Sequence, residues 1–167
     1  MANRENHYEA AFESWLRSRG VPYVAVDETR RSLLAQASIK SLDFIVTTPQ
    51  GVSWLVDVKG RLFPGGRRRQ YWRNWSTLDD LEGLACWERL FGERFHGLFV
   101  FAYNVIGTRS PLPAERLFSF RGRSYGFVGI RLDQYMWNAR PISPRWGTVA
   151  MSARQFVRLA RPADELL

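Results

Sequence analysis

Asp43, Asp57 and Lys59 are the residues of this chain whose types and spacing offer chemistry. Asp57 lies fourteen residues after Asp43 and Lys59 two further on, in two runs rich in β-branched and aromatic residues, SLDFIVT over 41–47 and SWLVDVK over 53–59. The intervening TPQG is turn chemistry, so the runs read as an antiparallel hairpin that sets the two acids on adjacent strands. In the second run a period of two puts Trp54, Val56 and Val58 on one face and Leu55, Asp57 and Lys59 on the other. Charge on a mostly apolar strand is costly unless it is paired or binds an ion. Two acids at facing strand positions suit a shared divalent cation such as Mg²⁺, which prefers hard oxygen ligands. A lysine beside them can orient or deprotonate a water, or neutralise the charge that grows on phosphorus during displacement. That chemistry is phosphodiester hydrolysis. The plainer alternative for Asp57 and Lys59 is an i,i+2 ion pair on an edge strand.

These residues need elements to hold them. Asn6 to Arg19 reads as an amphipathic helix, because Tyr8, Ala11, Phe12, Trp15 and Leu16 recur at three-to-four spacing and Gly20 follows as a stop. VPYVAV over 21–26 suits an edge strand. Residues 27–40 are compatible with a helical turn or an irregular loop. Gly60 to Trp75 breaks the periodicity with Pro64, Gly65 and Gly66 and reads as a loop or flap. Thr77 to Phe91 reads as a second helix, capped by Ser76 or Thr77, with Asp79, Asp80 and Glu82 where the helix dipole favours acids. Gly97 to Val105 is a buried-type strand, and the helix before it should pack on the sheet. Beyond it, 117–120, 125–130 and 148–151 are strand candidates and 132–137 and 152–160 helix candidates. The order implies a mixed α/β fold in one domain, with a core over about 6–105 and a C-terminal extension over about 106–167.

SLDF, a hairpin and WLVDVKG together resemble the core motif of the PD-(D/E)xK nuclease superfamily, whose restriction-endonuclease-like fold is a central mixed β-sheet flanked by helices. Asp43 matches the first motif acid, Asp57 the (D/E) position and Lys59 the motif lysine; Leu42 stands where the family often has proline. Many members, the archaeal Holliday-junction resolvases among them, carry a metal-associated glutamate on the first helix. Glu9, eleven residues before Gly20, matches that resolvase spacing, and Glu13, on the same helix face one turn on, is held in reserve. The resemblance spans about residues 6–105. It implies a metal-dependent nuclease in which Glu9, Asp43 and Asp57 hold Mg²⁺ or Mn²⁺, the Val58 carbonyl completes the shell and Lys59 assists the attacking water. The alternative is a nucleic-acid-binding domain on the same fold that has lost activity.

The segment after Lys59 carries a second signal. Arg61, Arg67, Arg68, Arg69 and Arg73 are interleaved with Tyr71, Trp72 and Trp75, a pattern that could clamp phosphates with guanidinium groups and stack aromatic rings on bases. A solvated charge run is the alternative. Composition agrees with a nucleic-acid partner, and the resemblance to the nuclease superfamily implies DNA sooner than RNA. Of 24 basic residues 22 are arginine, Lys40 and Lys59 being the lysines, and the net charge is +8. Guanidinium matches phosphate bidentately and stacks on bases. One cysteine and two histidines leave little for disulfide, zinc or imidazole chemistry. No apolar run approaches membrane-spanning length and the acidic start lacks a secretory core, so a cytoplasmic protein without membrane contact is expected. Nucleases that cut both strands are often two-fold dimers, so a homodimer is a further expectation.

Overall fold

The structure is a computed structural model and describes residues 6–27, 40 and 42–167. Helix α1 (His7–Ser18) leads to edge strand β1 (Tyr23–Ala25), then β2 (Phe44–Thr47) and the long β3 (Ser53–Phe63). A two-residue strand β4 (Ser76–Thr77) runs into α2 (Leu78–Phe91), followed by β5 (Phe95–Val105), β6 (Phe118–Phe120) and β7 (Arg123–Arg131). The chain closes with α3 (Leu132–Asn138), β8 (Arg140–Ser143), β9 (Thr148–Ala150), α4 (Ala153–Leu159) and β10 (Arg161–Pro162). Most of residues 27–40, compatible with either a helical turn or a loop, lies outside the described residues.

The main sheet runs β1-β2-β3-β5-β7-β10, with β6 also pairing β7. β2 and β3 form the expected antiparallel hairpin, Phe44 opposite Val56 and Thr47 opposite Ser53. β3 and β5 pair in parallel along their whole length. A parallel pair needs a crossover, and α2 is that crossover, so it is carried back across the sheet over β3 and β5.

Alternation along the strands divides the core. On one face α1 packs Phe12, Trp15 and Leu16 against Phe44, Val56, Val58, Val100 and Phe127. On the other, α2, α3 and α4 cover Leu55, Phe99, Phe101, Val128 and Ile130 with Leu81, Leu84, Tyr135 and Phe156. Leu55, Asp57 and Lys59 therefore look toward α2, and Trp54, Val56 and Val58 toward α1. α2 starts at a capping box: Asp80 N–H donates to the Thr77 hydroxyl at 3.1 Å, while Thr77 N–H donates to the Asp80 carboxylate at 3.0 Å.

Three expectations change. β3 continues four residues past Lys59, because Gly60, Arg61, Leu62 and Phe63 keep the parallel register with Ala102 to Val105; the irregular segment starts only at Pro64. β5 starts two residues earlier than expected, at Phe95. The segment after 105, read as an extension, supplies β6, β7 and β10 to the same sheet, with β7 pairing β5 over seven positions. Its short strands could not be assigned a partner from local pattern.

Candidate functional site

Asp43 stands one residue ahead of β2. Its N–H donates to the Val56 carbonyl at 2.9 Å, and its Oδ2 accepts the Val58 N–H at 2.6 Å. The side chain thus takes an acceptor place at the start of the hairpin ladder, which fixes the carboxylate over β3. Glu9, Asp43 and Asp57 are all buried, at 5%, 5% and 8% exposure. Burial pushes the Asp43 carboxyl well above the usual carboxylate range, and the charges of Asp57 and then Glu9 push further, against the Val58 N–H and Lys59. Asp43, at the start of β2, is thus the acid on which both Glu9 of α1 and Asp57 of β3 act.

The placement of Glu9 has a local cause. α1 presses its first turn onto β3 at Gly60, where any Cβ would overlap the Tyr8 ring, so the residue after Lys59 has to be glycine for the helix to sit this close. Asn6 caps α1, accepting the Tyr8 N–H at 3.1 Å, and its amide donates to Glu9. Glu13 points elsewhere. It pairs with Arg17 at 2.7 Å and accepts the Tyr23 hydroxyl at 2.9 Å, so the reserve residue is spent tying α1 to β1.

Lys59 is held from two sides. Its Nζ is 2.8 Å from Asp57 Oδ1 and 3.0 Å from Asp80 Oδ2. Asp80 in turn pairs with Lys40 and accepts the Ser76 hydroxyl at 2.9 Å. Burial would lower the Lys59 pKa, but the charges of Asp57 and Asp80 outweigh it and hold it above the usual value. Burial would raise Asp80, yet the Lys59 charge, the Lys40 hydrogen bond and the Thr77 N–H hold it well below the carboxylate range. Both lysines of the chain thus meet on one carboxylate. Asp80 reads from sequence as a dipole-favoured acid in the first turn of α2. Its link to Lys59 depends on the parallel crossover and left no local signal.

The donor set suits a hard divalent cation. Three buried carboxylates offer hard oxygen donors, and a bound cation would offset the burial and like-charge cost that raises Asp43. Among the described residues no three His, Cys, Asp or Glu side chains are gathered into a ready ligand set, so the fit is one of donor chemistry. Val58, expected to lend its carbonyl, engages Asp43 through its N–H.

The arginine-rich segment divides. Arg67, Arg68 and Arg69 are exposed on a turn closed by mutual hydrogen bonds of Gly65 and Gln70 at 2.8 Å. Arg61, expected to contact nucleic acid, is turned inward: it donates to the Gly60 and Trp75 carbonyls and lies 3.8 Å over the Trp75 ring, and burial pushes its pKa down to about 10. Trp72, expected to stack on bases, packs edge-on against Phe63 and Tyr103, and Tyr71 packs against Phe63 with Arg109 over it. Arg73 lies against Gly65. Large rings beside an apolar strand end gain more from burial than from solvent, and the sequence pattern alone could not tell the two apart.

A mixed, curled sheet with helices on both faces and a β3–α2–β5 crossover defines the restriction-endonuclease-like α/β fold. Among solved structures, this chain is similar to Archaeoglobus fulgidus Hjc, a Holliday junction resolvase from an archaeal hyperthermophile. The TM-score is 0.54 at 11% identity, over 96% of this chain and 97% of that one. No protein-family model and no curated protein matches the sequence. Among the described residues no helix is long and apolar enough to cross a membrane.

Proposed function

We infer that the chain is a metal-dependent nuclease of the PD-(D/E)xK type, acting on DNA. The observation that carries this reading is the burial of Asp43 within reach of the charges of both Asp57 and Glu9, with Lys59 held 2.8 Å from Asp57. The similarity in fold to a resolvase supports it. Glu9, Asp43 and Asp57 would hold Mg²⁺ or Mn²⁺. When bound, the cation supplies Lewis-acid stabilisation of phosphoryl oxygen charge and an activated water. Lys59 presents an ammonium whose N–H donors orient a water or meet negative charge growing on the phosphate. Asp80 acts through Lys59 and is a positioning residue. Arg67, Arg68 and Arg69 engage the phosphate backbone outside the reacting centre.

The test incubates the full chain with plasmid, linear and branched DNA and with RNA, in Mg²⁺, Mn²⁺ or EDTA. Cleavage that requires the metal and is lost in Asp57→Ala and Lys59→Ala is expected. Binding without cleavage on every substrate would replace the nuclease with an inactive binding domain, and cleavage that survives both substitutions would show that the site lies elsewhere.

A further inference from the structure

Residues 134–163 contain five arginines, Arg140, Arg145, Arg154, Arg158 and Arg161, and no acid. All five are exposed. The same stretch leaves Trp137 84% exposed, Trp146 70% and Ile142 58%. Indole is the largest apolar side chain, so two tryptophans this open on one small substructure ask for a partner.

Each tryptophan has an arginine at its ring or its main chain. Arg145 lies over the Trp146 ring at 5.4 Å. Arg140 donates to the Trp137 carbonyl at 3.1 Å, which holds it at the end of α3. The substructure is also tied to the candidate site. β9 pairs with β4, and the Gly147 carbonyl, one residue after Trp146, accepts the N–H of Leu78 at 2.8 Å. Leu78 opens α2, two residues before the Asp80 that holds Lys59.

We propose that the α3–β8–β9 segment is a stacking platform for unpaired bases of a nucleic acid, with Trp137 and Trp146 as the stacking rings and Arg140 and Arg145 as phosphate contacts. Aromatic faces with interleaved guanidinium groups bind single strands by this combination, since every base has a π-face and every nucleotide a charge. A second copy of the chain fits the surface less well. A two-fold interface would press Arg140 and Arg145 toward their own copies, with Asp133 the one acid of the segment. β8 is an edge strand, but Pro141 and the register shift between Pro141 and Ser143 blunt it against pairing with another edge. The proposal rests on nucleic acid being the substrate and deepens the nuclease reading: it makes DNA with an unpaired segment the favoured class.

The test measures anisotropy of fluorescently labelled oligonucleotides in EDTA, with single-stranded, fully duplex and forked DNA, for the wild type and for Trp137→Ala, Trp146→Ala, the double variant and Trp146→Phe. Each alanine variant is expected to weaken binding to the single strand and the fork by about tenfold or more while changing duplex binding by less than about twofold, with Trp146→Phe in between. Equal loss on all three DNAs, or none, would overturn the platform. So would a wild-type dimer that the double variant converts to monomer by light scattering, since the rings would then be an interface between copies. The two readings fail separately. Tryptophan variants that bind every DNA like the wild type, with Mg²⁺-dependent cleavage intact, end the platform alone. Selective loss of single-strand binding in a protein that never cuts ends the nuclease alone.

Discussion

At one end of the site burial, and then Asp57 and Glu9, raise the proton affinity of Asp43; at the other Lys59 and Lys40 enclose Asp80 and lower its own. The two ends meet at strand β3 and share a lysine, yet their charge is settled in opposite ways. At the first end burial and two neighbouring acids outweigh the Val58 N–H and Lys59, so ionising Asp43 works against the fold. At the second, a carboxylate has two ammonium partners, a hydroxyl and a main-chain N–H, so its charge supports the fold. A buried acid whose surroundings raise its proton affinity is where a cation would be favoured, and a compensated lysine is what a fixed ammonium needs.

The sharpest way to break this contrast is at the acid end. Asp43→Asn and Asp57→Ala are each expected to reduce metal-dependent cleavage by about 10³-fold or more, since each removes an oxygen ligand. Asp43→Asn should do so while stabilising the protein in EDTA at pH 7, because asparagine still accepts the Val58 N–H without the buried charge. The raised folded-state pKa of Asp43 means that its stabilising proton is fully present below the unfolded value near about 4 and is lost as pH rises through the folded value. The advantage of Asp43→Asn should therefore grow with pH over that range. Calorimetry reads it at about 2–4 °C in Tm for each kcal/mol relieved. A lower Tm for Asp43→Asn at pH 7 would show that the acid end is not strained.

At the lysine end, Lys59→Ala should cost about 10²–10³-fold in kcat, the scale of one preorganised charge donor. Asp80→Asn keeps an acceptor for the Thr77 N–H and removes the charge that holds Lys59. It should lower kcat by about 10- to 100-fold with KM little changed, and lower stability by about 1.5–3 kcal/mol. Asp80→Glu should recover part of the rate, and a fold-only role would leave kcat unchanged. Because the folded pKa of Asp80 is depressed, its stabilisation is present above the unfolded value near about 4 and lost as pH falls toward the folded one. The stability gap between wild type and Asp80→Asn should be full at pH 7 and close below about pH 4 in urea titrations.

The smallest effect belongs outside both ends. Replacing Arg67, Arg68 and Arg69 together by alanine should flatten the salt dependence of DNA binding by about 0.9 in log–log slope for each phosphate no longer neutralised. An unchanged slope would make the turn a solvated charge run.

Much of the hairpin was legible locally. TPQG between two β-branched runs specifies the turn, and alternation in SWLVDVK correctly turns Asp57 and Lys59 away from the α1 face. α1 and α2 were readable from three-to-four spacing, and Thr77 as a cap. β8 and β10 were not, because RPIS and RP have no period and exist only through pairing with β9 and β7. The aromatic residues of 71–75 carried the same types as a base-stacking loop, and only the neighbouring Phe63, Tyr103 and Arg61 decide that they are packed.

Residue types, their periods and the turn between two strands were enough to put Asp43, Asp57 and Lys59 on adjacent strands, because those signals act over a few residues of chain. Tertiary structure alone decided that Asp80 would receive both lysines, that Arg61 would be buried and that Trp137 and Trp146 would be open. Each of these depends on which distant segment covers which face. For Asp80 it is the parallel β3–β5 pairing that sets this, formed between residues about forty apart.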